Sequence, residues 1–169
     1  PLTKLLDTIM VMEIGEEHEM IVGSSAHSIA ERVKPEVFNA VLEIAVELAH
    51  QGREGKPVGT IFVVGDEEEV QKYTQQLIIN PFKGYTEDER NILNPQIKET
   101  VKELATIDGA FIVRGDGIIL SAGTYLKPAL AGEELPPGLG SRHAAAASLS
   151  ATTKAIIFTT VSYTHLRAH

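Results

Sequence analysis

The chain has 169 residues, which is enough for one well-packed domain, and its 43% hydrophobic and 22% charged residues exclude wholesale disorder. Its net charge of −8 argues against a broadly basic nucleic-acid-binding surface. The absence of cysteine excludes disulfides, zinc–thiolate sites and a cysteine nucleophile. No apolar run approaches the ~20 residues of a membrane helix. Nor does a signal segment open the chain, so we expect a cytoplasmic protein without a membrane segment.

The first half of the chain predicts alternating strands and helices. Short apolar runs at 8–14 and 20–22 predict two strands. A helix is predicted over 35–51, because Pro35 suits the first helical position and apolar residues recur at helical spacing: Val37, Val41, Ile44 and Leu48. The continuous apolar run 58–64 predicts a strand buried on both faces. Acidic residues 66–69 then predict the start of a second helix.

Further along, we expect a compact loop at 80–85, a short helix over 87–93 capped by Thr86, and a helix after Pro95. Two apolar runs around Gly115-Asp116-Gly117 predict a β-hairpin. An alanine-rich helix is predicted from Ser141, and a buried strand over 155–160. The predicted fold class is therefore α/β, a mixed β-sheet with helices on its faces. Residues 1–34 are predicted to be a lead-in segment and 35–162 the domain.

The stretch from Gly138 to Ala147 (GLGSRHAAAA) is the first candidate site. Gly138 and Gly140 let the backbone approach a ligand, and Ser141 is a good N-cap. Arg142 and His143 then lie in the first turn, where a cation opposes the helix dipole unless an anion is bound there. Two interpretations stay open: an anion site, or an ordinary capped helix with solvated Arg142 and His143.

A second candidate is Asp108-Gly109-Ala110, directly before a predicted strand. Asp-Gly is a common turn dipeptide, so a plain turn is one interpretation. In the other, Asp108 binds a divalent metal through its carboxylate while Gly109 lets a nucleotide lie against the backbone. His18, His27 and His50 show no ligand spacing, and phosphate-loop, dinucleotide-fold and nucleophile-elbow motifs are absent from the sequence.

Taken together, these segments resemble one family. The similarity runs in order through GREGKPVGTIFVVGD at 52–66, INPFKGY at 79–85, IDGAFIVRGDGIILSAGTYL at 107–126 and LPPGLGSRHAAAASL at 135–149. In these motifs the chain resembles the diadenylate cyclase (DAC, or DisA_N-type) domain, which makes cyclic di-AMP from two ATP molecules. The GLG-SRHAAAA form is most similar to the archaeal-type branch.

The resemblance implies roles for individual residues. Asp108 would be the catalytic carboxylate and the ligand of a Mn²⁺ or Mg²⁺ ion, acting near the attacking ribose hydroxyl. The backbone of Gly109 and Ala110 would lie along the nucleotide. Tyr125 and Leu126 would lie near the adenine, and Gly140, Ser141, Arg142 and His143 would hold the ATP phosphates. The resemblance also implies a homodimer or higher homo-oligomer, and the net charge of −8 gives no indication of a nucleic-acid partner.

Two departures from the family pattern bear on activity. Ala144 follows His143 where many members have a second arginine. After Ser162 the chain reads YTHLRAH instead of the family's polar, glycine-containing motif, so we expect 163–169 to be a non-native tail in which His165 and His169 are not ligands. Three hypotheses remain: a diadenylate cyclase, a truncated or inactive ATP-binding regulatory domain, and an oligomerisation module.

Overall fold

The computed structural model describes residues 32–127, apart from 51, 53, 54 and 57, and residues 140–160. The strands predicted at 8–14 and 20–22 and the tail at 163–169 lie outside these residues. Four helices and five strands follow one another within the described part: α1 (Pro35–His50), β1 (Ile61–Val64), α2 (Glu67–Lys72), β2 (Thr74–Gln76), α3 (Pro95–Leu104), β3 (Ala110–Val113), β4 (Ile119–Leu126), α4 (Ser141–Thr152) and β5 (Ile156–Thr159).

The five strands form one sheet in the order β2-β4-β3-β1-β5. Strands β1 and β3 are parallel, and every other neighbouring pair is antiparallel. The sheet is therefore mixed, as predicted. Because β4 and β5 run against β1 and β3, the starts of β1 and β3 lie at the same end of the sheet as the ends of β4 and β5.

Each face of the sheet carries its own apolar layer. On one face, α1 and α3 pack on Phe62, Phe111 and Phe158, and the first two rings stack with centroids 5.0 Å apart. On the other face, α4 packs through Ala146 and Leu149 on the alternate side chains of the same strands. All four residues of β1 are buried, because helices cover both faces of this central strand. The predicted α/β layering is confirmed.

Several local predictions are confirmed and two are wrong. Helix α1 begins at Pro35 as predicted, and the hairpin forms as β3 and β4. The strand predicted over 58–64 is shorter, since only 61–64 pair as a strand. The helix predicted over 87–93 does not form. Thr86 and Glu89 do exchange the hydrogen bonds of a helix start, but the chain then turns away because the Ile92 amide donates to the Gly117 carbonyl.

Candidate functional site

The two candidate segments lie at the same end of the sheet. Asp108 and Gly109 directly precede β3, and Gly59 and Thr60 precede the neighbouring parallel strand β1. Helix α4 begins at this end too, as the contact between the guanidinium of Arg142 and Gly59 shows. Gly59 and Asp108, about fifty positions apart in the sequence, are thus brought together by the parallel pairing of β1 with β3.

Gly109 packs directly on the backbone of β4. Its φ is +111°, and a Cβ at this position would lie 2.6 Å from both Gly123 C and Thr124 N. Real Cβ atoms do not approach backbone this closely, so only glycine fits. The next residue, Ala110, is buried and pairs with Thr124. The backbone that leads into β3 is therefore held at a fixed distance from β4.

The Asp108 carboxylate is available to a ligand. Asp108 is exposed, and its side chain makes no hydrogen bond or ion pair to any residue that the structure describes. The described residues contain no group of three or more histidine or acidic side chains that would hold a metal alone. A divalent cation at Asp108 would thus take its remaining ligands from water and substrate phosphates, as Mg²⁺ commonly does. The donor set fits such an ion.

Helix α4 begins with amides that have no partner within the described ranges. Gly140, in an extended conformation, is the N-cap, so the prediction of Ser141 as N-cap is wrong by one residue and Ser141 opens the helix. No side chain of the described residues caps the helix, and its first turn contains no acid. The first intrahelical bond runs from the Ala144 amide to the Gly140 carbonyl, which leaves the amides of 141–143 without helical acceptors. These amides and the helix dipole favour an anion.

Arg142 is directed back onto the sheet. A Cβ on Gly59 would lie 3.1 Å from Arg142 Nη1 and 3.2 Å from the Thr160 carbonyl oxygen, so the missing side chain makes room for the guanidinium. Thr160 fixes this corner, since its hydroxyl accepts from the Thr60 amide at 2.8 Å and donates to the Val58 carbonyl at 2.8 Å. Arg142 itself is exposed and unpaired among the described residues, and is free to bind an anion.

The remaining predicted residues differ in accessibility. His143 is half-buried, and its Nδ1 atom is buried without a hydrogen-bond partner within the described ranges. Tyr125 is 45% exposed, whereas Leu126 is 4% exposed and belongs to the apolar layer beneath α4. A contact between Leu126 and a ligand would therefore involve its backbone, while the Tyr125 ring is open to solvent.

Sequence reasoning did not single out Gly59, Gly123 or Thr160. Gly59 stands inside a continuous apolar run and Gly123 inside a strand, and an isolated glycine in a strand pattern signals a bulge or a close backbone approach. That signal was present for both glycines. The partners of each glycine are distant in sequence, and they emerge only from the fold.

Comparisons with known proteins identify the family of this chain. Residues 47–165 match the model of the DAC family, described as "DisA bacterial checkpoint controller nucleotide-binding". A protein named diadenylate cyclase from Methanocaldococcus jannaschii is 40% identical over 155 residues, which are 91% of this chain and 48% of that protein. Another of the same name from Haloferax volcanii is 37% identical over 124 residues, 73% of this chain and 45% of that protein. The chain spans about half the length of these relatives.

A solved structure shares the fold. The crystal structure of a hypothetical membrane spanning protein from Bacillus cereus superposes with a TM-score of 0.50 at 20% identity, over 77% of this chain and 56% of the other. At that identity the likeness concerns the fold alone. In the described part of this chain, no helix combines the length and apolar character needed to cross a membrane. From the family match and the extent of the two archaeal similarities, the chain belongs to the DAC family of diadenylate cyclase domains.

Proposed function

We propose that this chain is the catalytic domain of a diadenylate cyclase, which condenses two ATP molecules into cyclic di-AMP and two pyrophosphates. One observation carries the proposal: in a chain of this family, a carboxylate (Asp108) and a guanidinium at a helix start (Arg142), both unpaired among the described residues, lie at the same end of one sheet. ATP as the substrate is also the reason to propose a cytoplasmic location.

The residues at this end suit phosphoryl transfer. Arg142 and the amides of 141–143 would bind the phosphates, since a guanidinium pairs bidentately with phosphate oxygens. His143 would add a further donor there. The backbone of Gly109 and Ala110 would lie along the nucleotide, and Gly140 would let the phosphates approach the start of α4. The adenine would lie near Tyr125 and the backbone of Leu126. Holding both reactants in line supplies much of the rate in such reactions.

In each half-reaction, the 3′-hydroxyl of one ATP attacks the α-phosphorus of the other. A new O–P bond forms, the bond between the α-phosphorus and the bridging oxygen breaks, and pyrophosphate leaves with the electron pair. Asp108 would hold a Mn²⁺ or Mg²⁺ ion beside the attacking hydroxyl, and that ion would lower the hydroxyl pKa and neutralise phosphate charge. The hydroxyl proton passes to solvent.

The product is two-fold symmetric, which supports a homodimer as the active species. One phosphate site of the kind described holds one ATP, so two sites must face each other for both bonds to form. An isologous dimer brings the same surface of each protomer together. We propose that this surface includes the sheet end that carries Asp108.

A second candidate function is ATP binding without turnover, in a regulatory or oligomerisation role. Ala144 favours it, because many family members have a second arginine at this position. A charge-assisted hydrogen bond of that kind is worth about 1.5–3 kcal/mol, so its loss could lower the rate without abolishing binding.

Mass spectrometry of the products separates these functions. The chain is incubated with ATP and Mn²⁺ or Mg²⁺ over a series of protein concentrations, and ATP binding is measured in parallel. We expect cyclic di-AMP and pyrophosphate, with activity per protomer rising with concentration. ATP binding without either product would favour the second function, and absence of ATP binding would contradict both. A constant activity per protomer in a preparation shown by light scattering to be monomeric would contradict the dimer.

A further inference from the structure

Strand β4 is irregular where it supports the site. A step of two residues on β3, from Ala110 to Ile112, is matched by a step of three on β4, from Thr124 to Ser121. A second shift follows directly between Ile112 and Val113. Bulges of this kind leave carbonyl groups outside the ladder and bend the strand, and they are enriched beside active sites. The bulged segment 121–124 therefore needs other partners to keep its shape.

The bulge has the shape that Gly109 requires. Gly123 has a φ of +62°, and its backbone is the surface on which Gly109 packs. A side chain at Gly123 would be strained by this φ and would require the Ile78 side chain to move, since a Cβ there would lie 2.5 Å from Ile78 Cγ1. Any movement of Gly123 is thus transmitted to Gly109 and to the adjacent Asp108, because the two backbones are in contact.

Gln76 on β2 holds the bulge with its side-chain amide. Its Nε2 donates to the Ala122 carbonyl at 2.6 Å and more weakly to the Gly123 carbonyl at 3.4 Å. Its Oε1 accepts from the Thr124 hydroxyl at 3.3 Å, and Thr124 Oγ1 lies 2.7 Å from Ser121 Oγ. Only one orientation of the amide satisfies these contacts, because two carbonyls face the nitrogen and a hydroxyl faces the oxygen.

The segment that follows β2 adds two more contacts. The Leu77 amide donates to the Gly123 carbonyl at 3.0 Å, and Asn80 Nδ2 donates to the Leu120 carbonyl at 2.8 Å. Carbonyls 120, 122 and 123 are thus all bound from residues 76–80. Thr124, at the centre of the network, is 4% exposed, so its hydroxyl needs the partners it has.

We propose that Gln76 and Thr124 are positioning residues of this site: by fixing the bulge of β4 they fix the Asp108–Gly109 backbone, and with it the Asp108 carboxylate. Neither residue touches the reacting groups themselves. The proposal rests on the proposed function for its effect on turnover, whereas its effect on the position of Gly109 can be measured independently. Catalytic groups misplaced by about 1 Å lose roughly 10²-fold in rate, so a smaller displacement is already measurable.

The test uses substitutions that remove hydrogen bonds without adding charge. Gln76→Met keeps the side-chain length and removes all three amide contacts, and Thr124→Val keeps the shape and removes the hydroxyl. Thr124→Ser keeps the hydroxyl and serves as the rescue. Gln71→Met is the matched control, since Gln71 is an exposed glutamine on α2 whose side chain makes no hydrogen bond to the described residues.

Two readouts are combined for the folded variants. For Gln76→Met and Thr124→Val we expect kcat to fall about 10-fold and KM for ATP to rise by a smaller factor, because α4 holds the phosphates while the bulge supports the Asp108–Gly109 backbone. Thr124→Ser and Gln71→Met should stay within about 3-fold of the parent kcat. In NMR spectra, the amide signals of Gly109 and Ala110 should shift in the first two variants and not in Gln71→Met.

The outcomes separate this proposal from the proposed function. Unshifted Gly109 and Ala110 signals in folded Gln76→Met and Thr124→Val would overturn the positioning role, as would the parent kcat in either variant. Equal losses in Thr124→Ser and Thr124→Val would overturn the role of the hydroxyl. If the parent forms no cyclic di-AMP, the proposed function fails, and the amide signals alone decide whether the network positions the segment.

Discussion

Substituting Gly109 by alanine should cost more stability than an ordinary glycine replacement. Two penalties add: an alanine at a φ of +111° is strained by about 1–3 kcal/mol, and its Cβ would lie 2.6 Å from the backbone of Gly123 and Thr124. Relieving that contact requires β3 and β4 to separate at the Ala110–Thr124 pair, and overpacking of this kind costs about 1–3 kcal/mol more. We therefore expect a total loss of about 2–6 kcal/mol in unfolding free energy.

Gly84→Ala provides the matched control for Gly109→Ala. Gly84 has a φ of +96°, but a Cβ there meets nothing within 4 Å. Both substitutions restrict the unfolded chain equally, and both place an alanine at a positive φ. The difference between their unfolding free energies therefore reports mainly the contact of residue 109 with β4. Urea unfolding followed by circular dichroism measures both. If Gly109→Ala loses no more unfolding free energy than Gly84→Ala, the close packing of Gly109 on β4 is refuted.

Two further predictions concern the phosphate site and the surface ion pairs. Arg142→Ala should weaken ATP binding by about 10- to 100-fold, because a charge-assisted hydrogen bond is lost. Ser141→Ala keeps its backbone amide and should change the affinity less than about 3-fold. Equal affinities for the parent and Arg142→Ala, measured by calorimetry, would contradict the phosphate site. Hydrogen bonds from Lys102 and Lys98 lower the pKa of Glu47 in the folded state. The stability that the Glu47 carboxylate contributes is therefore fully present above the ordinary carboxyl pKa, and it is lost as pH falls through the lowered value. Glu47→Gln should therefore cost about 0.5–1 kcal/mol at pH 7, and urea unfolding should show this difference shrinking below about pH 4; a difference independent of pH would contradict the ion pairs.

The parts of the fold that local chemistry determines could be predicted from the sequence. Helix α1 was predictable because Pro35 starts it and its apolar residues recur every three to four positions. Strand β1 was predictable because a continuous apolar run must be buried on both faces. In these elements, local preference and long-range packing favour the same structure.

Long-range pairing explains where prediction was wrong. Thr86 and Glu89 form the capping contacts of a helix, yet Asn91 pairs with Ile118 and the Ile119 amide donates to the Arg90 carbonyl, so the backbone is drawn into the sheet. Strand β2 is polar and has no alternation that would reveal it. It exists because it pairs with β4, and no local signal reports that pairing.

In the candidate site, the identity of the functional residues could be predicted from the sequence, whereas their arrangement could not. Asp108, Gly109, Ser141, Arg142 and His143 were identified from a turn dipeptide, a helix start and a family resemblance. That Arg142 lies over Gly59 required the pairing of β1 with β3 and β5, which brings Gly59 and Thr160 to the start of α4. Sequence patterns supply the chemical groups, and the sheet topology supplies their arrangement.

Turnover by Asp108→Asn tests the central claim most directly. The substitution keeps the size of an exposed side chain and removes its charge, so folding should change by no more than about 1 kcal/mol and ATP should still bind through Arg142. Asp88→Asn, at another exposed aspartate away from this end of the sheet, is the control. With ATP and Mn²⁺ or Mg²⁺, mass spectrometry should show cyclic di-AMP from the parent and from Asp88→Asn, and at least ~10²-fold less from Asp108→Asn. Product formation by Asp108→Asn at the parent rate, or none by the parent, would contradict the account.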